Sequence, residues 1–295
     1  VITLAVSTLV ACNLSKKEKV ADDGTLAART PETENLLAHL KKVSSCGFMF
    51  GHHDDTNYGI GWEGDEGRSD VKSVCGDYPA VISFDLGHLE LGDTLSLDKV
   101  PFSKIRREIL NQYKRGGLSS LSWHLRNPLT GGDSWDVSDT TVVKSILPGG
   151  ANHEKFAGWV SKVSAFINSL QTEDGVKVPV LFRPWHEHTG SWFWWGEKLC
   201  TPEEYKALWH MTVDILRSDG VDNALYAYSP GSEPQDTAQY LKRYPGDDLI
   251  DVIGFDTYQF DRPSYLANVG KSLAIVDSIG RTHDKVIAIT ETGYE

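Results

Sequence analysis

Basic residues are scarce in this 295-residue chain, which has 29 Lys and Arg against 41 Asp and Glu and a net charge of −12. A single basic block, at residues 16–19, is too small for the positive surface that phosphate binding needs, so we expect no nucleic-acid partner. The sequence also lacks Pro- or Ser-rich linkers, internal repeats and low-complexity tracts. It therefore predicts one domain rather than a string of modules.

Cysteine is rare as well, with four residues at positions 12, 46, 75 and 200. No two of them have C-x-x-C spacing, so the sequence does not predict a zinc site of that type. If Cys12 serves another purpose, three pairings remain among the other cysteines. We expect the pair Cys46–Cys75, since both residues lie near the first two predicted strands.

Long hydrophobic runs are missing, and the first eleven residues are too few to span a bilayer. They are apolar and small and end in Leu9-Val10-Ala11-Cys12, which resembles a bacterial lipobox with Cys12 as the lipidated residue. The chain lacks an initiator Met and a basic region before this segment. We therefore expect a signal-peptide remnant at 1–11, a lipidated Cys12 with a polar tether at 12–30, and a folded domain at 31–295. A disordered or buried apolar strand is the alternative for the first segment.

Strand-like and helix-like segments alternate after the tether. The strand candidates are apolar runs, which indicates burial on both faces in a parallel sheet. They lie at 47–50, 80–85, 117–123, 178–183, 224–228, 251–255 and 286–290. Helical patterns lie at 33–43, 104–114, 156–170 and 264–279, and another begins at Thr201 as N-cap. This order predicts an α/β protein, a (β/α)₈ TIM barrel apparently truncated after its seventh strand, with a doubly wound open sheet as the alternative.

Two glutamates, Glu187 and Glu291, each close a strand-like apolar run. Active sites of such barrels lie at the carboxyl ends of the strands, where two carboxylates can converge. A paired acid and base is what cleavage of a glycosidic bond needs. Strand alternation predicts that Arg183, Trp185 and Glu187 share one side. The alternatives are an ion pair between Glu187 and Arg183, and a helix cap by Glu291.

The segment around the first glutamate, residues 183–196 (RPWHEHTGSWFWWG), resembles the acid/base signature of glycoside hydrolase family 26. The best-known members of that family are endo-β-1,4-mannanases. Residues 290–293 (TETG) resemble its nucleophile segment, and residues 122–124 and 255–258 match its strand-end motifs. The resemblance implies a (β/α)₈ barrel and a retaining mechanism with Glu187 as acid/base and Glu291 as nucleophile. A retaining site implies carboxyl groups about 5–5.5 Å apart.

The resemblance also implies a set of substrate-binding residues. Trp192 would line the leaving-group side, His186 would lie beside the acid, and Tyr258 would donate a hydrogen bond to the nucleophile. Trp194 and Trp195 could equally be core residues, because large aromatic side chains are mostly buried. His124 could likewise be a buried, hydrogen-bonded histidine. The implied set is His124, Trp135, His186, Trp192, Asp256 and Tyr258.

Two segments suggest metal ligands at first sight. Residues 186–188 (HEH) lack the second histidine of an H-E-x-x-H zinc motif, since residue 190 is glycine. Residues 51–55 (GHHDD) could bind a cation, although a polar sugar contact is the expected use. We therefore expect no cofactor and no obligatory metal.

The acidic balance and 30 aromatic residues suit a neutral, hydroxyl-rich ligand. With the resemblance, we expect a monomeric endo-β-1,4-mannanase acting on mannan, galactomannan or glucomannan. It would be an exported lipoprotein at the outer membrane or cell surface, or in the periplasm, touching the membrane only through its lipid. The alternatives are a related β-1,3-1,4-glucanase or β-1,3-xylanase, and a non-catalytic glycan-binding lipoprotein. A glycan-binding lipoprotein does not need the two glutamates, because binding alone requires only aromatic contacts and hydrogen bonds.

Overall fold

The computed structural model describes residues 28–294. The predicted signal remnant, Cys12 and most of the predicted tether lie outside the described residues. The end of that tether belongs to the folded domain. The guanidinium of Arg29 donates two hydrogen bonds of 2.8 Å to the carboxylate of Asp251, and Thr30 caps the first helix.

Within residues 28–294, seven parallel strands form one sheet whose spatial order equals their order along the chain. The consecutive order excludes the doubly wound alternative, in which strand order reverses at a switch point. It is the order of a (β/α)₈ barrel, so the predicted fold class is confirmed, and six of the predicted strands coincide with strands of this sheet. A short antiparallel ribbon, β2–β3, follows the first strand. The strands are β1 (Gly51–His53), β2 (Tyr58–Gly59), β3 (Trp62–Glu63), β4 (Val81–Asp85), β5 (Leu118–Ser122), β6 (Val180–Arg183), β7 (Ala224–Tyr228), β8 (Val252–Gln259) and β9 (Val286–Tyr294).

The helices agree with the predicted segments within a few residues, and three short ones, α2, α4 and α7, were not predicted. The N-terminus of α6 shows why the local sequence was enough to predict where a helix begins. Thr201 accepts a hydrogen bond from the backbone N–H of Glu204, whose carboxylate accepts one from the N–H of Thr201, which is a capping box. The helices are α1 (Pro31–Ser44), α2 (Asp70–Cys75), α3 (Phe102–Lys114), α4 (Val142–Ile146), α5 (His153–Asn168), α6 (Pro202–Ser218), α7 (Thr237–Leu241) and α8 (Arg262–His283).

The first strand lies later than predicted. The residues at 47–50 precede β1, although the carbonyl of Phe50 accepts a hydrogen bond from the N–H of Val81 at 3.1 Å, and Phe48 is 87% exposed. Pairing begins instead at Gly51, opposite Val81, and ends with His53 opposite Ser83. The prediction misplaced this strand because it relied on apolar residues. Among the described residues β1 has a paired neighbour on one side only, and its side chains are exposed.

Two groups of apolar side chains form the core. The larger group fills the space between the sheet and the helices and includes Trp185 and Trp209. The smaller group joins Leu40 of α1 to residues near the amino ends of the strands, including Leu118 and Val252. Helix α1 therefore covers the end of the sheet opposite the polar strand ends.

The predicted disulfide is wrong, because Cys46, Cys75 and Cys200 are free thiols. The thiol of Cys46, just after α1, faces the carbonyl of Lys42, the thiol of Cys75 faces the carbonyl of Val71 in α2, and Cys200 is buried. None of the helices within residues 28–294 has both the length and the apolar character needed to cross a membrane.

Candidate active site

Polar side chains from several strand ends meet at the carboxyl edge of the sheet, and Glu187 joins them from the loop after β6. Hydrogen bonds link side chains from neighbouring strands into one site. This is where a barrel of this type carries its catalytic residues. The strand-end residues are Asp85, His124, Arg183, Asp256, Tyr258 and Glu291.

Two residues in the left-handed region turn the chain after β6. Trp185 has φ of 57° and Glu187 has φ of 53°, which costs a non-glycine residue about 1–3 kcal/mol. The surroundings hold the turn: the Tyr205 hydroxyl donates to the Trp185 carbonyl at 2.7 Å, and the Glu187 N–H donates to the Ser229 carbonyl at 2.8 Å. Strand alternation stops at Arg183, so the predicted shared side is wrong for Trp185, although Arg183 and Glu187 both contribute to the site. Trp185 is buried in the core, whereas Glu187 faces the site.

A β-bulge between β8 and β9 sets the position of Glu291. Phe255 pairs with Ile289, whereas the next residue, Asp256, pairs with Glu291, so Thr290 is the extra residue. An inserted residue reverses the alternation of side chains beyond it. The bulge therefore brings the carboxylates of Asp256 and Glu291 to the same side of the sheet. Glu291 lies inside a strand and caps no helix.

Two donors hold the carboxylate of Glu291. The guanidinium Nη2 of Arg183 donates to Oε2, and the hydroxyl of Tyr258 donates to Oε1. The predicted donation from Tyr258 is therefore present. Arg183 forms ion pairs with Glu291 and Asp256. The alternative, an ion pair between Arg183 and Glu187, is therefore wrong.

The surroundings move the pKa values of the two glutamates in opposite directions. Burial first, and then the negative charge of Glu291, raise the pKa of Glu187 above its ordinary value. Burial would also raise the pKa of Glu291, but the charge of Arg183 together with the hydrogen bonds from Tyr258 and Arg183 and the nearby His186 lowers that pKa to about 2. Near neutral pH Glu291 is thus ionised, while Glu187 is the carboxyl that holds a proton more readily. Opposed pKa shifts of this kind separate an acid from a nucleophile.

Asp256 does not face a ligand groove, which corrects its predicted contact with a sugar. Its side chain has no exposed surface. It accepts hydrogen bonds from Nη1 of Arg183 at 2.8 Å and from the hydroxyl of Thr290 at 2.6 Å. Asp256 therefore fixes Arg183, which in turn holds Glu291.

Asp85, His124 and His186 form a chain of hydrogen bonds. Nδ1 of His124 donates to Oδ2 of Asp85 at 2.6 Å, and Nε2 of His124 lies 2.9 Å from Nε2 of His186. Burial alone would lower the pKa of His124, but the charge of Asp85, its hydrogen bond to His124 and the charge of Glu291 together raise that pKa. Burial and the nearby charge of His124 lower the pKa of His186 well below its usual value. The raised pKa favours a charged His124, whose Nε2 would donate to a neutral His186.

The predicted contact of His186 with a sugar is also corrected, because His186 is 0% exposed. It lies behind His124, and its carbonyl accepts a hydrogen bond from Nε1 of Trp195 at 2.8 Å. The ring of His124 is partly exposed and remains available to a ligand. His186 therefore positions His124 and the loop that carries the acid.

Two tryptophans present surface beside the glutamates. Trp192 is 41% exposed and donates from Nε1 to Oε2 of Glu187 at 2.6 Å. Trp135 is 47% exposed and stacks on His124 with ring centroids 5.5 Å apart and planes 14° apart. Both can offer an aromatic face to a sugar ring next to the carboxylates.

The other aromatic residues after Glu187 belong to the core. Trp194 and Trp195 are buried and pack edge-on against Trp185, which decides between the two uses that the sequence left open. Phe193 stacks on Trp195 with centroids 4.5 Å apart. They form the support under the exposed ring of Trp192.

Arg243 supports this loop and was not found in the sequence. It is buried, and its guanidinium donates to the carbonyls of His188 at 3.3 Å, of Trp195 at 3.2 Å and of Cys200. These partners are backbone atoms 43 to 55 residues earlier in the chain, so no local pattern marks Arg243.

Comparison with known proteins gives consistent matches. The model of the family described as Glycosyl hydrolase family 26 matches residues 27–291. A mannan endo-1,4-beta-mannosidase from Bifidobacterium adolescentis is 36% identical over 276 residues, which are 90% of this chain and 27% of that protein. The chain thus spans about a quarter of that relative's length. A mannan endo-1,4-beta-mannosidase from Bacillus subtilis is 27% identical over 279 residues, 90% of this chain and 71% of that protein.

Solved structures match over the same region. A GH26 beta-mannanase from Bacteroides ovatus shares 61% sequence identity with a TM-score of 0.89, covering 90% of this chain and 78% of that one. A modular endo-beta-1,4-mannanase from Cellulomonas fimi shares 35% identity with a TM-score of 0.84, covering 92% and 61%. With its glutamates after β6 and in β9 of a consecutive parallel sheet, the chain belongs to glycosyl hydrolase family 26.

Proposed function

We propose that this domain is a retaining endo-β-1,4-mannanase that cleaves internal bonds of mannan, galactomannan or glucomannan. The observation that carries the proposal is the arrangement of two carboxyl groups at the carboxyl edge of the sheet, with Glu291 held by Arg183 and Tyr258 and Glu187 held by Trp192. The opposite shifts of their pKa values agree with it. The mannanase names of the relatives support the choice of substrate.

The first step uses both glutamates. Glu187 gives its proton to the glycosidic oxygen as the bond to the leaving sugar breaks, and Glu291 attacks the anomeric carbon. A covalent glycosyl-enzyme forms at Oε1 or Oε2 of Glu291, and the shortened chain leaves. Glu187 then takes a proton from water, whose oxygen attacks the same carbon and releases Glu291.

The surrounding donors suit these roles. Arg183 and Tyr258 keep Glu291 ionised and fix its orientation before substrate arrives. The N–H of Trp192 holds the carboxyl of Glu187, and its ring lies where a leaving sugar can stack. His124 and Trp135, which stack on each other, offer a second aromatic surface.

A reducing-sugar assay on galactomannan tests the proposal. Glu187→Ala and Glu291→Ala are each expected to lower turnover by several orders of magnitude with unchanged folding by circular dichroism. Glu154→Gln, which changes an exposed glutamate at the start of α5, is the matched control and should retain parental activity. Turnover by both alanine variants at the parental rate would refute the catalytic role.

The same assay separates the related substrates. Mannose and glucose differ in the orientation of the 2-hydroxyl, so mixed-linkage β-glucan and β-1,3-xylan are run beside mannan. The proposal expects the highest kcat/KM on β-1,4-mannan. Binding of mannan by the parent without any release of reducing ends would instead favour the non-catalytic glycan-binding alternative.

We also propose that the chain is exported and anchored through a lipid on Cys12. The support is the lipobox-like sequence at 9–12. Labelled palmitate should enter the parent, with its full export signal, and not the Cys12→Ser variant, and only the parent should fractionate with membranes. Equal labelling of both proteins would contradict the anchor.

A further inference from the structure

Three side chains of types that can bind metal ions meet at the carboxyl end of β1. They do not include Glu187 or Glu291. They are His53, Asp54 and Asp98, and one ligand atom from each lies within 4.8 Å of the other two. Nε2 of His53 is 3.4 Å from Oδ2 of Asp54 and 3.7 Å from Oδ2 of Asp98. One nitrogen and two carboxylate oxygens thus surround a common point.

The spacing is wider than that of direct hydrogen bonds. A charged N–H···O bond to a carboxylate is about 2.7–2.9 Å long. A tetrahedral zinc ion with nitrogen and oxygen ligands at about 2.0–2.2 Å keeps those ligands about 3.3–3.6 Å apart. The distances of 3.4 and 3.7 Å from Nε2 fit three ligands around one ion better than an imidazole bonded directly to either carboxylate.

One ligand oxygen is buried without a partner. Asp54 is 1% exposed, and its Oδ2 accepts no hydrogen bond from the described residues. Leaving a buried carboxylate oxygen unpaired is costly, so such an atom calls for a cation or a donor. The unpaired Oδ2 is the oxygen that faces His53 and Asp98.

Neighbouring side chains orient two of the ligands, as they do in known metal sites. The hydroxyl of Ser83 is bonded to Nδ1 of His53 at 2.8 Å, which leaves Nε2 as the ligand atom. The amide of Asn57 donates to Oδ1 of Asp54 at 2.6 Å, which leaves Oδ2 as the ligand atom.

We propose that His53, Asp54 and Asp98 bind one divalent first-row transition-metal ion, with solvent as the fourth ligand. Zinc is the expected ion. Imidazole with carboxylates suits zinc, whereas calcium prefers six to eight oxygens. The ring of His53 is partly exposed, which gives the ion a path of entry. The ion would tie β1 to the segment that carries Asp98 and so stabilise the fold.

Isothermal titration with zinc chloride tests the proposal on the full chain after treatment with a chelator. Cys12, Cys46 and Cys75 are changed to Ser in this background, because thiolates also bind zinc. We expect a single ion per chain and a melting temperature that rises with zinc. Cobalt should give the visible absorption of a tetrahedral nitrogen–oxygen site.

Variants of the ligands show whether the ion lies at this position. Asp98→Asn and His53→Gln should weaken zinc binding by more than about 100-fold, and Ser83→Ala by about 10-fold or more. Asp93→Asn removes an exposed carboxylate from the same loop as Asp98 and should leave zinc binding unchanged.

Circular dichroism and melting without zinc establish whether each variant folds. If His53→Gln does not fold, the zinc affinity of Asp98→Asn alone tests the proposal. Absence of zinc binding in the parent would overturn the proposal and leave a protonated His53 between two carboxylates. Zinc binding that survives both Asp98→Asn and His53→Gln would overturn it as well. Neither result depends on the proposed mannanase activity.

Discussion

The guanidinium of Arg183 donates to the carboxylate of Glu291, the proposed nucleophile, although Arg183 lies only four residues before the proposed acid, Glu187. Asp256 binds the other side of the guanidinium at 2.8 Å. The fixed positive charge of Arg183 thus lies against the carboxylate of Glu291. The chain turns after Arg183, so Glu187 is not paired with this guanidinium.

This ion pair predicts the effect of Arg183→Lys. The ammonium of lysine cannot donate to Asp256 and Glu291 with the planar fork of arginine. We expect kcat/KM to fall about 100-fold, as for the loss of one preorganised donor. The pKa of Glu291 should rise, because the charge that lowers it is less well placed.

The pH profile of kcat/KM measures that rise. Catalysis requires ionised Glu291, so the activity of the variant should be lost at a higher pH on the acid side than that of the parent. Arg107→Lys, at an exposed ion pair with Glu66, is the control and should leave the profile unchanged. An acid limb that stays in place in Arg183→Lys would contradict the role assigned to Arg183.

The charge of the nucleophile predicts a second effect, on the acid. Besides burial, the negative charge of Glu291 raises the pKa of Glu187, so Glu291→Gln should lower that pKa. Protonated Glu187 is lost as pH rises through its pKa, and in the variant this loss should come at lower pH. A ¹³C NMR titration of the Glu187 carboxyl in both proteins measures the change.

The exposed Glu154→Gln variant should leave the titration of Glu187 where it is. A pKa of Glu187 that stays constant or rises in Glu291→Gln would show that the two carboxyl groups do not share one site.

Arg243 predicts a change in stability. Arg243→Ala leaves the buried carbonyls of His188, Trp195 and Cys200 without this donor. A buried acceptor left unpaired costs about 1–3 kcal/mol, so we expect the free energy of unfolding to fall by about 3 kcal/mol or more. Urea denaturation measures it.

Arg281→Ala is the matched control, since Arg281 is 78% exposed and pairs with Asp277 on the same helix. A pair of that kind contributes about 0.3–0.5 kcal/mol. Equal destabilisation by the two substitutions would show that Arg243 does not hold the loop.

Local patterns in the sequence predicted much of the fold. The run at 224–228 is β7 to the residue, because a strand buried on both faces is apolar throughout. The first strand was misplaced because, among residues 28–294, β1 pairs with β4 alone and exposes polar residues such as His52 and His53. Predictions from hydrophobicity work where burial is complete and fail where side chains are exposed.

The bond from Tyr258 to Glu291 was expected from the resemblance to glycoside hydrolase family 26, and it joins two residues inside the neighbouring strands β8 and β9. The site was not predictable where the backbone departs from regular geometry. The left-handed turns at Trp185 and Glu187 and the bulge before Glu291 depend on contacts with distant parts of the chain. The burial of Asp256 depends in the same way on Arg183, 73 residues earlier.

Trapping of the covalent intermediate tests the central claim most directly. A 2-deoxy-2-fluoro-β-mannoside with a reactive leaving group slows breakdown of the glycosyl-enzyme, and peptide mass spectrometry then locates the label. We expect the sugar to be attached to Glu291 and the Glu291→Ala variant to remain unlabelled. Attachment to any other residue, or hydrolysis that first releases the inverted anomer, would contradict this claim.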